Sequence, residues 1–341
     1  MNRYPICFIV PSKLLRHFAD RAASADERTS LLAAIELSEH LRGQRSVAGI
    51  AALTPAQTSE ERRTIFDAHH QKRLPGKLVR GEGAPPAADQ TVNEAYDSAG
   101  TTYQFYREIL RRNSIDGRGL RLDSTVHYAQ KFNNAFWNGR QMVYGDGDGK
   151  IFVGFAQAID VVAHELTHGV TQYSVPGGGL TYDGQSGALN ESISDVFGSV
   201  VKQWKLGQTV DKADWLIGEG IMAPAAGKAL RSMKNPGDTT QTWAGDDQPG
   251  NMSGFVPDGD VHTNSGIPNH AFYFAAMALG GQSWKEAGPI WYKALSLLTP
   301  DATFADAAAA TTQAAGLLFG AKQQKAVSDA WKQVGVILQA A

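Results

Sequence analysis

Several things are scarce in this sequence, and each scarcity removes a class of protein. Among 341 residues there is one cysteine, Cys7, so a small scaffold stapled by intramolecular disulfides is excluded. Neither charge dominates: 32 Lys and Arg stand against 34 Asp and Glu, a formal net charge of -2. Without a basic field, neither nucleic acid nor an anionic membrane surface is an expected partner. No stretch reaches the ~20 apolar residues of a membrane span. The first residues offer only the short apolar run Ile6-Cys-Phe-Ile-Val10, ended by Pro11, which falls short of a secretory signal. A cytoplasmic protein is therefore expected, or one exported by a leaderless route. No fixed-period repeat is present either. What the chain does have is apolar material, 43% of its residues, enough for two cores of ordinary domain size.

The chemistry is concentrated in Ile159-Asp-Val-Val-Ala-His-Glu-Leu-Thr-His-Gly169. On a helix, His164 and His168 lie one turn apart on one face, so two imidazoles can hold one metal ion, with Glu165 beside it. Zinc suits imidazole nitrogens joined by one carboxylate and an open position, and a neighbouring carboxylate can take a proton from water there. The pattern alone also fits the solvated face of an amphipathic helix, so a third ligand is required. Gly187-Ala-Leu-Asn-Glu-Ser-Ile-Ser-Asp195 reads as a second helix, apolar along Leu189, Ile193, Val196, Phe197 and Val200. Its other side carries Glu191 and Asp195. Metal-bound histidines need their second ring nitrogen held, which Asp195 and Asn190 can do while Glu191 ligates the metal.

These two segments, together with Val261-His-Thr-Asn-Ser-Gly266, resemble the active-site segments of the thermolysin-like metallopeptidases. The resemblance implies a zinc endopeptidase acting on polypeptides, with one zinc held by His164, His168 and Glu191 and with Glu165 as general base. It implies that Tyr182 and His262 stabilise the oxyanion, a role suited to a hydroxyl and an imidazolium converging on developing charge. It makes Arg231 the group that binds a substrate carbonyl. Either Asp258 or Asp260 orients His262, since Pro257-Asp-Gly-Asp-Val261 departs from the family's usual sequence there. Tyr128-Ala-Gln-Lys-Phe-Asn-Asn-Ala-Phe-Trp-Asn-Gly139 resembles the substrate-binding edge strand, with Asn134 and Ala135 as peptide contacts; Phe132, Phe136 and Trp137 are expected mostly to pack. Phe152, Phe155, Val161, Ile217, Ile221 and Leu230 match the pocket for the residue after the scissile bond, which implies an apolar P1′ side chain. Asp160, Asp214 and Glu219 match acidic calcium ligands. Lys202 stands where a further acid would be, so at most one calcium is expected.

The expected architecture is α+β: a β-rich N-terminal lobe over 51–157, an α-helical C-terminal lobe over 158–341, and the zinc helix on the cleft floor. Between Thr64 and Val153 short β-type runs alternate with Gly, Asn and Asp punctuation, interrupted by one helix at Thr91 to Arg112. Gly145-Asp-Gly-Asp-Gly149 lacks the later Glu of an EF-hand loop and reads as a tight turn. Helical stripes follow at Phe197 to Trp204, His270 to Leu279, Trp284 to Leu298 and Phe304 to Leu318. Ahead of these lobes, residues 1–50 read as a prosegment with two helices: the second has a capping box at Ser24-Ala-Asp-Glu27 and is expected to stop at Gly43. Residues 44 to 61 read as a cleavable linker. Pro11-Ser-Lys-Leu14 resembles the Pro-x-x-Leu element of protealysin-type precursors, which implies an intramolecular inhibitor removed by self-cleavage. Cys7 in that prosegment has two readings, a cap on the zinc or a buried apolar side chain. The second is expected, with the helices at Leu14 to Leu41 blocking the cleft by bulk.

Two other classes compete. A catalytically dead peptide binder would have lost its general base, and Glu165 is present. A zinc-stabilised structural protein would close the metal with four protein ligands.

Overall fold

The buried helix α4 (Ile159–Ser174) is the piece around which the rest is laid. Every residue from Asp160 to Thr171 is buried, so its polar side chains must find partners inside the protein. It packs against α5 (Gly184–Leu206), and the close approach depends on Gly198: a Cβ there would stand 2.6 Å from the Asp160 carbonyl oxygen. α5 ends at Gly207, whose φ of 65° is the left-handed conformation that terminates helices.

The computed structural model describes residues 6–48 and 60–337. On one side of α4 lies a six-stranded sheet in the order β1-β5-β6-β4-β2-β3. Its strands are β1 (Cys7–Phe8), β2 (Arg63–Asp67), β3 (Lys77–Gly81), β4 (Leu122–Val126), β5 (Ala135–Trp137) and β6 (Gln141–Tyr144). β4 runs parallel to β2 and β6, whereas β5 is antiparallel to both β6 and β1. Helix α3 (Gln90–Glu108) lies between this sheet and α4, capped by the Asp89 carboxylate on the Thr91 N–H. On the other side, α7 (Gly266–Leu279), α8 (Ala287–Leu295), α9 (Phe304–Phe319) and α10 (Ala321–Gln333) pack on α5 and one another. A two-stranded ribbon of β7 (Leu216–Ile217) and β8 (Arg231–Ser232) and the one-turn helix α6 (Val261–Asn264) close the site. The expected α+β architecture, with a β-rich first half and a helical second half, is the one observed. Among the described residues no helix is long and apolar enough to cross a membrane.

The N-terminal segment differs from expectation in two ways. Helices α1 (Ser12–Ala19) and α2 (Ala25–Ala48) form as a pair, and Ser24 Oγ accepts from the Glu27 N–H at 3.2 Å. α2 runs through Gly43 instead of stopping there, because a helical φ is as open to glycine as the left-handed one. The linker expected at 44–61 therefore begins later, and residues 49–59, with the boundary expected at 50, lie outside the described residues. The extended residues ahead of α1 lie along β5, with Phe8 opposite Phe136.

Candidate active site

α4 places His164, Glu165 and His168 on its inner face, and α5 brings Glu191 opposite them. The Nε2 atoms of His164 and His168 are 3.1 Å apart, and Glu191 oxygens lie 3.4 and 3.6 Å from them. Each imidazole is oriented from behind. His164 Nδ1 is 2.8 Å from Asp195 Oδ1, and His168 Nδ1 is 2.8 Å from Asn190 Oδ1 and 3.1 Å from Ser194 Oγ. The expected pairing of Asp195 and Asn190 with the two histidines is thus the arrangement found.

Asp195 is itself held. Arg231 donates to both of its oxygens at 2.9 and 2.8 Å, and Asn269 Nδ2 donates to Oδ2 at 2.8 Å. Burial works against this carboxylate, but Arg231 and His164 outweigh it and keep it ionised. Burial lowers His168 to about 4, leaving the neutral imidazole a metal requires. Glu191 stays ionised despite burial, because His262, His168 and His164 surround it. Burial also raises the Glu165 carboxyl to about 8. Its Oε2 accepts from the Trp137 N–H at 2.9 Å, while its Oε1 and the Glu191 Oε2 are buried without a hydrogen-bond partner among the described residues. Two oriented imidazoles, an ionised carboxylate and two unsatisfied buried oxygens in one place are the donor set of a catalytic zinc.

His262 joins them on α6, its Nε2 3.3 Å from Glu191 Oε2. The aspartate left open by the sequence is Asp260, whose Oδ1 lies 2.8 Å from His262 Nδ1 and also accepts from the His262 N–H. Sequence reading missed Asn269, Ser194 and the Trp137 N–H; only Ser194, one helical turn from Asn190, carried a positional signal. Tyr182 is brought to the site, and its hydroxyl donates to Glu191 Oε1. Phe152, Phe155, Val161, Ile217, Ile221 and Leu230 are all buried. They meet where α4 begins and the β7–β8 ribbon crosses: Leu230 N–H donates to the Ile217 carbonyl at 2.9 Å, Val153 N–H to the Ile221 carbonyl at 2.9 Å, and the Phe152 and Phe155 rings are 5.2 Å apart.

The cleft holds the chain's own N-terminus. β1 pairs antiparallel with β5, Cys7 opposite Trp137 and Phe8 opposite Phe136. The Ile9 N–H donates to the Ala135 carbonyl at 3.3 Å, and Asn134 binds both the Val10 N–H, at 3.0 Å, and the Val10 carbonyl, at 3.1 Å. Arg231 Nη1 donates to the Ile9 carbonyl at 3.1 Å, and His262 Nε2 is 2.9 Å from the Phe8 carbonyl oxygen. Cys7 is buried as expected, and a ligand atom of Cys7, one of His168 and one of Glu191 all lie within 4.8 Å of one another. Pairing β1 with β5 sets residue 7 opposite Trp137, the residue that holds Glu165, and so beside the metal ligands.

The calcium expectation is corrected. Lys202 Nζ lies 3.0 Å from Asp214 and 3.3 Å from Asp160, and donates to the Leu216 carbonyl at 2.9 Å. An ammonium thus stands between two of the supposed ligands, while Glu219 pairs with Lys228 at 3.5 Å. The Gly145–Gly149 turn is a turn as expected, with Asp148 Oδ1 accepting from the N–H groups of Lys150, Ile151 and Phe152.

Residues 54–172 match the family described as thermolysin metallopeptidase, catalytic domain, and residues 178–336 its alpha-helical domain. The chain belongs to the thermolysin metallopeptidase family. It is 46% identical to the extracellular metalloprotease of Pectobacterium carotovorum subsp. carotovorum, across 98% of each chain. It is 41% identical to the thermolysin of Alicyclobacillus acidocaldarius subsp. acidocaldarius, across 80% of this chain and 50% of that one. The precursor of protealysin, a metalloproteinase from Serratia proteamaculans, has a solved structure that superposes with a TM-score of 0.87 at 45% identity, covering 97% of this chain and 100% of that one. This thermolysin-family chain is a zinc metalloendopeptidase in precursor form. The expected cytoplasmic location is overturned: the Pectobacterium relative is named an extracellular metalloprotease, which points to a secreted protein.

Proposed function

We propose that one zinc is held by His164, His168 and Glu191, and that the site cleaves polypeptides bound as an added edge strand on β5. The observation that carries this reading is the convergence of Asp195, Asn190 and Ser194 behind the two histidines, with Glu191 oxygens 3.4 and 3.6 Å from the histidines' Nε2 atoms. Zinc, when bound, supplies the Lewis acidity that acidifies a water and polarises a carbonyl.

Glu165 takes the proton of the attacking water and later delivers it to the leaving amine. Trp137 N–H fixes Glu165 by one oxygen, leaving the other for the proton. At His262 the charges of Glu191 and Asp260 outweigh the burial penalty and favour the imidazolium, and the ring donates to the carbonyl oxygen as it gains charge. Tyr182 is the second donor there. Arg231 binds the next carbonyl along the substrate, and Asn134 with Ala135 fixes the strand's register. Phe152, Phe155, Val161, Ile217, Ile221 and Leu230 receive the P1′ side chain, with the two phenylalanines limiting its depth.

Residues 1 to about 50 act as the inhibitor, since Phe8 to Val10 take the main-chain bonds a substrate would make. The test is to map cleavage sites in an unfolded protein digested by the matured enzyme, with and without chelator. Cuts should precede Leu, Ile, Val or Phe and vanish with chelator. A dominant charged P1′ residue would contradict the pocket assignment, and chelator-resistant cleavage would contradict the zinc.

A further inference from the structure

A second concavity, which shares no residue with the cleft, is walled by the chain just after α3, the last residue of α4 and parts of α8 and α9. Its volume is about 480 Å³, within the range of small-molecule sites. The charged side chains that line it are Arg111, Arg112 and Lys293, and its wall contains no Asp or Glu. In a chain whose formal net charge is -2, three cations around one cavity are a local field of a single sign.

None of the three pairs with a carboxylate among the described residues. Arg112 donates to the Ile115 carbonyl at 3.2 Å and to the Tyr292 hydroxyl at 3.1 Å, which leaves the tyrosine's own O–H to donate. Lys293 Nζ finds the Ser296 hydroxyl at 3.4 Å. Arg111 is exposed and has a φ of 55°. It stands at the end of α3, where the Arg112 N–H bonds back to the Tyr106 carbonyl at 2.9 Å. Glycine is the usual residue in that left-handed position, and any other side chain there is strained. Cations also complement helix C-termini, but that role needs neither a cavity nor an apolar wall. Here the remaining wall is largely apolar: Ile109, Leu110, Pro289 and Leu318, the last of them 44% exposed.

We propose that this cavity binds an alkyl carboxylate, its head group met by Arg111, Lys293 and the Tyr292 hydroxyl and its tail laid on Ile109, Leu110, Pro289 and Leu318. A carboxylate head suits two cations that have no other anion to meet. A hydrocarbon tail suits the wall better than a peptide does, because beyond the hydroxyls of Ser174, Tyr292 and Ser296 little there can satisfy buried amides. The site does not depend on the zinc-peptidase reading above.

The test is calorimetric titration of the full-length precursor carrying Glu165→Gln, in which the N-terminal strand covers the cleft, with sodium decanoate below its micelle concentration. Decanoate should bind once per chain and more tightly than 1-decanol. Arg111→Gly/Lys293→Gln, added to the same protein, should weaken decanoate by about tenfold or more, since hydrogen bonds to charged groups are lost. Glycine is at ease in the left-handed position, so this variant should unfold at a temperature no lower than its parent, and the loss is then one of binding and not of fold. No heat with decanoate, equal affinity for decanol, or an unchanged affinity in the double variant would each overturn the proposal. Tighter binding of acetyl-Leu-Leu than of decanoate would overturn the alkyl assignment in favour of a peptide end.

Discussion

Asp195 shows how much one residue can hold. It accepts from His164, Arg231 and Asn269 at once, and so couples the proposed zinc ligand to the proposed substrate-binding arginine. Asp195→Asn should weaken zinc affinity about 10- to 100-fold, the usual effect of losing the partner that orients a metal-bound imidazole. Competition with a chromophoric chelator measures it, and unchanged affinity would show that Arg231 and packing suffice. The meeting of His164, Glu165, His168 and Glu191 was legible because short motifs put them on two helices. Asp260 was not distinguishable from Asp258 in the sequence, since both flank the same glycine; the choice is made in three dimensions, where Asp260 caps the turn that carries His262. Asn269 gave no sign at all, because a contact across 74 residues has no local pattern.

At the scale of elements, the helices were read from apolar periodicity and largely held: the stripe from Phe304 is α9, and the one through His270 is α7. α10 was not foreseen, since its buried face is only Val327, Ala330 and Trp331. β1 was not foreseen either, because two paired residues leave no alternation to read. Lys202 was read as a cation excluding a second calcium. In the structure it bonds both Asp160 and Asp214, removing two members of the expected first site as well. Thermal unfolding should therefore shift little with added calcium or with a calcium chelator. Lys202→Met should destabilise by about 3 kcal/mol, because Asp160 is left buried without its counterion. A calcium-dependent rise in the wild-type melting temperature would contradict the ion-pair account.

A second element-scale link joins the N-cap of α3 to the turn after β6. His127 lies 2.8 Å from Asp146 and 2.8 Å from Asp89, with His70 against its ring. The Asp146 hydrogen bond, helped by Asp89 and opposed by burial, raises His127 from 6.5 to about 9. A raised folded pKa means the contribution is complete below pH 6.5 and is lost as pH rises through about 9. Denaturant midpoints at pH 7 and pH 10 should differ by more in the wild type than in His127→Gln. Equal pH dependence in the two would place the alkaline loss elsewhere.

At the scale of the whole molecule, the active site is assembled while the chain's own N-terminal strand lies in it. The two lobes, the zinc helix between them and the presence of a prosegment could all be read from the sequence. That the inhibiting contact is an edge strand could not, because the spacing between Cys7 and Trp137 is a property of the fold. The most direct measurement of the central claim is zinc content and peptide cleavage on the same matured preparations of wild type and Glu165→Gln. The account predicts one zinc per chain in both, cleavage by the wild type, and a loss of about 100-fold or more in Glu165→Gln, the range for removing a general base. Activity within about tenfold of wild type in a zinc-loaded Glu165→Gln protein would contradict it.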